Sequence, residues 1–213
     1  MIAHIELDQW ARRHVYSLYR SMSQPHVSVT VSVDATELVR WSKASGLSLF
    51  ATVLHRLTHA ANQVPELRHR FRVEDGNDVI LVHDQVAPAF TVAGPNGLFN
   101  FVSVPLVKDV RHFADTVGQV SESMGEQVQI RPFEGQRDDV IFLSCLRWFE
   151  FSQLNHPVHG TDDCIPRIAW GKLVERDGRW SCPINIQVHH SLVDGAHLGH
   201  FFEQVQRAFD REE

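Results

Sequence analysis

The sequence predicts an α/β fold, a two-layer sandwich with a large mixed, mostly antiparallel sheet and flanking helices. Three observations lead to this prediction. Helical patterns stand between many strand patterns along the chain. Several neighbouring strands are joined by segments too short for a parallel crossover. The 213 residues, 43% of them hydrophobic, fit one full core, so we expect residues 1–213 to form a single domain.

The N-terminal part of the chain predicts two helices around a strand. Residues 7–20 have the pattern of a short amphipathic helix. Residues 27–33 alternate valine with serine or threonine and form the clearest strand in the sequence. Asp34 lies three residues before Glu37, which is the spacing of a capping box, and predicts a helix that continues to about Ser45.

The remaining elements follow from turn signals and apolar periodicity. Ser48 predicts the start of a helix to about Gln63, and Asp109 predicts one to about Gly125. Residues 196–209 predict the last helix. The predicted strands are hairpins 71–73 with 79–82, 89–93 with 98–104 and 167–174 with 179–189, and the single strand 140–146. We expect residues 126–139 to form a polar loop and residues 149–164 to be irregular.

Composition excludes several classes of partner. A net charge of −6 and a pI near 6.1 do not suit binding to a nucleic acid. The first eight residues lack the basic and apolar regions of a signal peptide, and no apolar run approaches the ~20 residues of a membrane helix. Three cysteines without metal-site spacing indicate a reducing compartment, so we expect a cytoplasmic protein.

The densest chemical pattern is residues 189–195, HHSLVDG, where a strand ends and a helix begins. Imidazole titrates near neutrality and can accept and return a proton. Strand alternation places His189 and His190 on opposite faces, so only one of them can serve a given pocket. Asp194 is near enough to brace the turn, and Gly195 permits a tight one. A capped helix start beside two structural histidines is the alternative interpretation.

This segment resembles the HHxxxDG motif of chloramphenicol acetyltransferases. Other parts of the chain resemble the same family in order and spacing. They are residues 10–14 and 19–20 of its opening helix, residues 62–68 (NQVPELR), residues 90–92, Phe99 and residues 143–148. The resemblance spans almost the whole chain without large insertions.

The resemblance implies a CoA-dependent O-acetyltransferase. His190 is then the general base that deprotonates the acceptor hydroxyl, which attacks acetyl-CoA directly without an acyl-enzyme. Ser144 matches the serine that donates a hydrogen bond to the oxyanion, and the alternative for Ser144 is a small residue packed in a buried strand. Asp194 pairs in the family with an arginine that matches Arg12. The His190 ring is expected to be held in one tautomer by its own backbone carbonyl.

The resemblance also implies binding residues and an assembly. Tyr19, Thr91 and Phe99 match residues that contact the acceptor, and Trp148 and Lys172 match positions near the coenzyme. Without the family context these would be core aromatic residues and a solvated lysine. Acetyl-CoA would be a co-substrate, with no permanently bound cofactor. The family is trimeric with active sites between subunits, which implies a homotrimer here.

Five positions depart from the family pattern. Val27 stands where the family has a phenylalanine that packs the antibiotic ring, and Ser23 and Pro25 replace apolar neighbours. Ala169 replaces a threonine near the reacting centre, and Ser48 replaces a basic residue near a coenzyme phosphate. The departures affect the binding pocket more than the acyl transfer, so chloramphenicol is the expected acceptor and another alcohol, amine or thiol is the alternative.

The sequence is compatible with two further classes of protein. The acyltransferase cores of 2-oxo acid dehydrogenase complexes share a related signature, but the lipoyl domains and Ala/Pro-rich linkers that normally accompany them do not occur in this sequence. A CoA- or drug-binding trimer without turnover would be expected to lack His190 or Ser144.

Histidine pairs leave a metal site as a third alternative. His55 and His59 are spaced i,i+4 on a predicted helix, without a third ligand at sensible spacing. We interpret them as two surface histidines on one helical turn. His156 and His159 receive the same interpretation.

Overall fold

A computed structural model describes residues 2–126 and 137–211 of the chain. The helices are α1 Arg13–Arg20, α2 Thr36–Ser45, α3 Leu49–Asn62, α4 Val110–Gly125 and α5 Gly195–Phe209. The strands are β1 Ile2–Ile5, β2 His26–Asp34, β3 His69–Glu74, β4 Asn77–His83, β5 Ala87–Ala93, β6 Phe99–Ser103, β7 Val140–Leu146, β8 Arg167–Gly171, β9 Val174–Arg176 and β10 Arg179–His189. Short 3-10 turns occur at Leu7–Gln9, Pro65–Arg68 and Pro95–Gly97.

A seven-stranded sheet organises the fold. Its order is β2-β10-β8-β7-β5-β6, and β9 pairs with β10. The β5–β7 and β7–β8 pairs are parallel and the others are antiparallel, so the predicted mixed, mostly antiparallel sheet is confirmed. Beside this large sheet, the β3–β4 hairpin joins β1 in a separate three-stranded sheet. β1 was not predicted, since its four residues are ordered by pairing with β4.

The two faces of the large sheet have different chemistry. Apolar side chains cover one face and pack against helices α2 to α5, with Leu143, Ile168, Ile184 and Ile186 at most 1% exposed. This face supplies the main core. The other face carries polar side chains at the intervening positions, including Ser144, Asn185 and Gln187.

An irregular stretch of chain, residues 147–166, covers part of the polar face, and we call it the covering segment. Its backbone carbonyls accept hydrogen bonds from sheet side chains. The Asn185 amide donates to Leu154 O at 3.1 Å, and His189 Nε2 donates to Thr161 O at 3.0 Å. The predicted irregular conformation of residues 149–164 is confirmed, and buried polar side chains of the sheet hold it in place.

Several predicted element boundaries need correction. Residues 7–20 do not form one helix, because a 3-10 turn precedes α1, which begins at Arg13. Asp34 does not cap α2: Ala35 holds that position, while Asp34 Oδ1 still accepts the Thr36 N–H at 2.9 Å. Glu37 instead pairs with Arg40 on the surface.

The other helix starts and turns are as predicted, with one exception. Ser48 caps α3 and Asp109 caps α4 through their side-chain oxygens. The turn at residues 177–178 joins β9 to β10, not β8 to β10, because β8 ends at Gly171 before β9 begins. Both turn residues have positive φ, 52° and 77°, which suits a tight hairpin. Within the predicted loop 126–139, residues 127–136 lie outside the described residues.

Candidate active site

The predicted base lies at the corner between β10 and α5. β10 ends at His189, whose carbonyl accepts hydrogen bonds from Leu192 N at 3.0 Å and Val193 N at 3.1 Å. His190 N donates to Pro25 O at 2.8 Å, which fixes the corner against the start of β2. The chain therefore turns within a few residues, and the His190 side chain is left only partly buried.

Two contacts fix the His190 ring. Its Nδ1 lies 3.0 Å from Val193 O, and since a carbonyl can only accept, Nδ1 carries the proton. The Tyr19 ring stacks on the imidazole with a centroid distance of 3.8 Å and an interplanar angle of 17°. The expectation that His190's own carbonyl holds the ring is wrong, because the corner brings Val193 O to Nδ1 instead. In this tautomer, Nε2 has a lone pair that can accept a proton.

His189 has a different environment and is 1% exposed. Its Nε2 donates to Thr161 O, and its Nδ1 accepts the Ser191 N–H at 3.2 Å. Burial, and then the nearby His26, lower the pKa of His189 to about 4. Both ring nitrogens of His189 are occupied by hydrogen bonds, so His189 is a structural residue.

Asp194 connects the corner to α1. It caps α5 by accepting the Ala196 N–H at 3.1 Å, and His197 Nδ1 accepts the Asp194 N–H at 3.1 Å. Arg12 Nη1 also donates to Asp194 Oδ2, so the two residues form the expected ion pair. Burial raises the pKa of Asp194, but Arg12 and His197 outweigh it and keep the pKa below its usual value. The carboxylate therefore stays ionised and holds α1 against the corner.

Ser144 lies elsewhere, on the polar face of β7. It borders a cavity of about 310 Å³. The predicted acceptor residues Thr91 and Phe99 border the same cavity, since β5 runs beside β7 and β6 runs beside β5. The complete lining is Ala89, Phe90, Thr91, Phe99, Phe101, Phe142, Leu143, Ser144, His156, Pro157, His159 and Arg167. The structure thus brings together three of the predicted site residues around one cavity.

The positions that depart from the family pattern have several environments. Val27 is half-buried, lies opposite Val188 and packs against the core. Ser23 and Pro25 border a second cavity of about 420 Å³, whose lining also includes His156 of the covering segment. Ala169 of β8 is fully buried and pairs with Ser144 of β7.

The predicted coenzyme residues lie at one end of the sheet, just after β7 and β8. Trp148 is 68% exposed, and the Arg147 guanidinium lies 5.6 Å from its ring centroid. Lys172 is exposed, and its N–H donates to Phe149 O at 3.0 Å, which joins the two loops. Ser48, at the start of α3, lies at the same end of the sheet. The ring contact between the neighbouring Phe50 and Trp170 of β8 shows this position. Trp148 therefore offers an accessible aromatic surface at this end of the sheet, and Arg147 and Lys172 offer two cations.

One chain does not bring His190 and Ser144 together. Ser144 is paired with Ala169, and Ala169 is paired with Asn185 on β10. His190 lies five residues beyond Asn185, so two strand spacings and five residue rises place the two Cα atoms ~19 Å apart. At that distance the two side chains of one chain cannot act on the same reacting group.

The metal alternative gains no support. Within residues 2–126 and 137–211, no group of three or more His, Cys, Asp or Glu side chains could hold a metal ion. His55 is not a surface residue as expected, since it is 3% exposed and its Nε2 donates to Val107 O at 2.9 Å. His156 and His159 border the Ser144 cavity instead. Sequence reasoning did not identify them as site residues, because the irregular covering segment has no periodicity that shows which way its side chains point.

The described part of the chain contains no helix long and apolar enough to cross a membrane. The family model described as chloramphenicol acetyltransferase matches residues 1–206. Chloramphenicol acetyltransferase 3 of Escherichia coli is 27% identical over 203 residues, which are 94% of this chain and 93% of that protein. Chloramphenicol acetyltransferase of Staphylococcus aureus is 25% identical over 209 residues, 97% of this chain and 95% of that protein.

Solved structures show the same fold. A chloramphenicol acetyltransferase superposes with a TM-score of 0.87 at 24% identity, covering 98% of this chain and all of the other. A truncated catalytic core of the 2-oxoacid dehydrogenase multienzyme complex from Thermoplasma acidophilum superposes with a TM-score of 0.68 at 16% identity, covering 98% of each chain.

Proposed function

The chain belongs to the chloramphenicol acetyltransferase family and is an acyltransferase, and from this premise we propose that it acetylates a hydroxyl of chloramphenicol with acetyl-CoA. The reaction would confer resistance to that antibiotic. One observation carries the proposal. The Val193 carbonyl holds the His190 Nδ1 proton and leaves the Nε2 lone pair on a partly exposed ring.

The proposed reaction proceeds without an acyl-enzyme. Nε2 of His190 takes the proton from the acceptor hydroxyl as the oxygen attacks the thioester carbon. The Ser144 hydroxyl donates a hydrogen bond to the oxyanion of the tetrahedral intermediate, a contact worth roughly 3–4 kcal/mol in comparable sites. The intermediate collapses to the acetyl ester and breaks the C–S bond. The proton on Nε2 passes to the leaving CoA thiolate, and His190 returns to its starting state.

Each remaining predicted residue has a distinct role in this proposal. The Asp194–Arg12 pair positions the corner that carries His190 and does not act on the substrate. Thr91 and Phe99 contact the acceptor in the Ser144 cavity. Tyr19 contacts the acceptor from the His190 side, and half-buried Val27 widens the pocket there.

The coenzyme is proposed to bind at the end of β7 and β8. Trp148 offers an exposed aromatic surface, and Lys172 offers a cation to a phosphate. Ser48 cannot supply charge, and its hydroxyl is engaged as the N-cap of α3.

The active site is proposed to form between two subunits of a homotrimer. The ~19 Å between His190 and Ser144 of one chain supports this, because an adjacent copy must supply the second residue. His190 of one subunit would then face the Ser144 cavity of its neighbour. We also propose a cytoplasmic location, since Cys145, Cys164 and Cys182 are free thiols.

Thiol release tests the proposed function. Purified protein is incubated with acetyl-CoA and chloramphenicol, and free CoA is followed over time. The proposal predicts chloramphenicol-dependent release and an acetylated product. If no thiol is released with chloramphenicol although CoA still binds, the result would favour the alternative, a different alcohol, amine or thiol acceptor. This alternative rests on the positions that differ from the family pattern, which are Val27, Ser23, Pro25 and Ala169.

A further inference from the structure

Helix α1 presents the ring that stacks on His190, although little of the helix is buried. Within the eight described residues of α1, only Tyr16 is buried. Val15 and Leu18 are 36% and 55% exposed, so α1 has a narrow apolar contact with the rest of the chain. Because a short helix is held mainly by its packed face, the position of Tyr19 depends on polar anchors at the ends of α1.

Arg20 supplies the anchor at the C-terminal end of α1. Its Nε donates to Asp78 Oδ2 at 3.0 Å and its Nη2 donates to Asp78 Oδ1 at 3.4 Å, so the guanidinium contacts both oxygens of a carboxylate on β4. Its Nη1 lies 2.8 Å from Asp162 Oδ1 in the covering segment. One side chain thus joins α1 to two other parts of the chain.

This anchor is largely shielded from water. The Arg20 guanidinium carbon lies 4.4 Å from the Phe71 ring centroid, and the side chains of Arg20 and Asp78 are 18% and 20% exposed. The Tyr16 hydroxyl donates to the same Asp78 Oδ2 at 2.5 Å, which joins the buried residue of the helix to the cluster. Burial lowers the pKa of Arg20, but Asp78 and Asp162 outweigh it and keep the pKa above its usual value. The guanidinium therefore stays charged.

The same cluster reaches the histidine pair. Phe71, which Arg20 covers, contacts the buried His189 ring edge-on, with centroids 4.9 Å apart. Tyr19 precedes Arg20 in the last turn of α1 and stacks on the His190 ring. Arg20 is therefore connected to both histidines, to His189 through the core and to His190 through its neighbour in the sequence.

We propose that Arg20 is a positioning residue that holds the Tyr19 ring against the His190 imidazole. It acts on the proposed base through Tyr19, by fixing the end of α1, and makes no contact with the reacting atoms. The inference rests on the proposed function and deepens it, because it names the support of the proposed base. Asp78 and Asp162 lie on separate elements, so a side chain without the planar guanidinium fork cannot contact both and leaves the end of α1 free to tilt.

A double-mutant cycle tests whether Arg20 acts through Tyr19. Thiol release from acetyl-CoA with chloramphenicol is measured for the wild type, Arg20→Gln, Tyr19→Leu and the double variant, with Arg13→Gln as the matched control. Arg13 is an exposed arginine of the same helix, and its Nη1 donates to Asp8 O at 2.8 Å. The free energy of an aromatic pair corresponds to a factor of about 2 to 13 in a rate or an equilibrium.

We expect Arg20→Gln to lower kcat by about this factor and Arg13→Gln to stay within about twofold of the wild type. In the Tyr19→Leu background, Arg20→Gln should change kcat by less than about twofold, because the ring that Arg20 positions is already gone. Equal losses in the two backgrounds would indicate a general structural role and overturn the proposal, as would an unchanged kcat for Arg20→Gln.

The NMR resonance of the His190 Cε1 proton reports the stack without any turnover. It is assigned by its loss in His190→Ala and measured at about pH 8.5, above the usual titration range of imidazole. Removal of the stacked ring in Tyr19→Leu shifts this resonance downfield, and Arg20→Gln should shift it in the same direction. Arg13→Gln should leave it in place. An unmoved resonance in Arg20→Gln would show that Arg20 does not hold the stack.

The failure of the proposed function has a different signature. If the wild type releases no thiol with chloramphenicol, the proposed acetylation is wrong, and the His190 resonance then decides the inference alone. If Arg20→Gln does not fold, Arg20→Lys takes its place, since it keeps the charge but cannot contact both carboxylates. A downfield shift in Arg20→Lys would support the positioning role, and its absence in the folded variant would contradict it.

Discussion

The aromatic rings of Tyr19 and His190 stack with centroids 3.8 Å apart and 17° between their planes. Tyr19 lies at the end of α1, and Arg20 beside it bonds to Asp78 of β4 at 3.0 Å. The helix that presents the tyrosine is therefore fixed to the smaller sheet. Because the stack fixes the ring plane and Val193 O fixes its tautomer, little motion is needed before Nε2 can take a proton.

His190→Ala removes the proposed base. Turnover should fall by ~10²–10⁴ because no other group takes the hydroxyl proton, while the melting temperature stays near that of the wild type. Thiol release and a thermal melt measure the two effects. His189 cannot substitute, since both its nitrogens are hydrogen bonded. A variant with an unchanged rate would remove His190 from the mechanism.

Ser144→Ala removes the proposed oxyanion donor. The rate should fall by ~10²–10³, mostly in kcat, because the lost hydrogen bond is strongest in the transition state. Steady-state kinetics at varied acceptor concentration separate kcat from KM. A change confined to KM would show that Ser144 only packs against the acceptor.

Arg12→Ala breaks the ion pair with Asp194. The free energy of unfolding should fall by about 1–2 kcal/mol, because a charged hydrogen bond is lost from a partly buried carboxylate. Activity should fall too, since the corner that carries His190 loses its contact with α1. Urea unfolding and thiol release are the measurements. Normal values in both would leave the pair without a positioning role.

Acid should destabilise the fold through buried histidines such as His69. Burial lowers the pKa of His69 to about 4 in the folded protein, while an unfolded histidine titrates near pH 6.5. Between these values only the unfolded chain binds the proton, so stability is full above pH 6.5 and falls as the pH drops toward 4. Each such histidine contributes a slope of about 1.4 kcal/mol per pH unit.

The His69→Gln variant isolates one proton of that dependence. Urea unfolding between pH 4.5 and 6.5 should give a slope smaller by about 1.4 kcal/mol per pH unit than in the wild type. His112 is exposed on α4, so His112→Gln is the matched control and should keep the wild-type slope. An unchanged slope for His69→Gln would mean that His69 is protonated in the folded state.

Local sequence signals predicted the elements that depend on local chemistry. Ser48 and Asp109 satisfy helix amides within three residues, and both were identified from the sequence. β1 was missed because its pairing with β4 joins residues far apart in the sequence, whereas the local hairpin of β3 and β4 was predicted. Residues 7–20 have helical periodicity, but an α-helix forms only from Arg13, after a 3-10 turn.

The candidate site was also predicted only in part from the sequence. The strand-to-helix corner at His190 and its link from Asp194 to Arg12 were anticipated from the motif and the family resemblance. The carbonyl that holds the ring was assigned wrongly, because the path of the turn after His190 is not encoded in the motif. His156 was not predicted to border the Ser144 cavity. The Gln187 side-chain amide, which accepts the His156 N–H and positions the residue, lies 31 residues away in the sequence.

The central claim is that His190 and Ser144 act together across two subunits, and mixed trimers test it directly. His190→Ala and Ser144→Ala chains with different tags are co-expressed, and protein that carries both tags is purified. Each mixed trimer then contains one intact site in three, so about one third of wild-type thiol release should return, far above either parent. His190→Ala chains with the two tags serve as the control and should stay inactive. Mixed trimers as inactive as their parents, or no protein that carries both tags, would contradict the account.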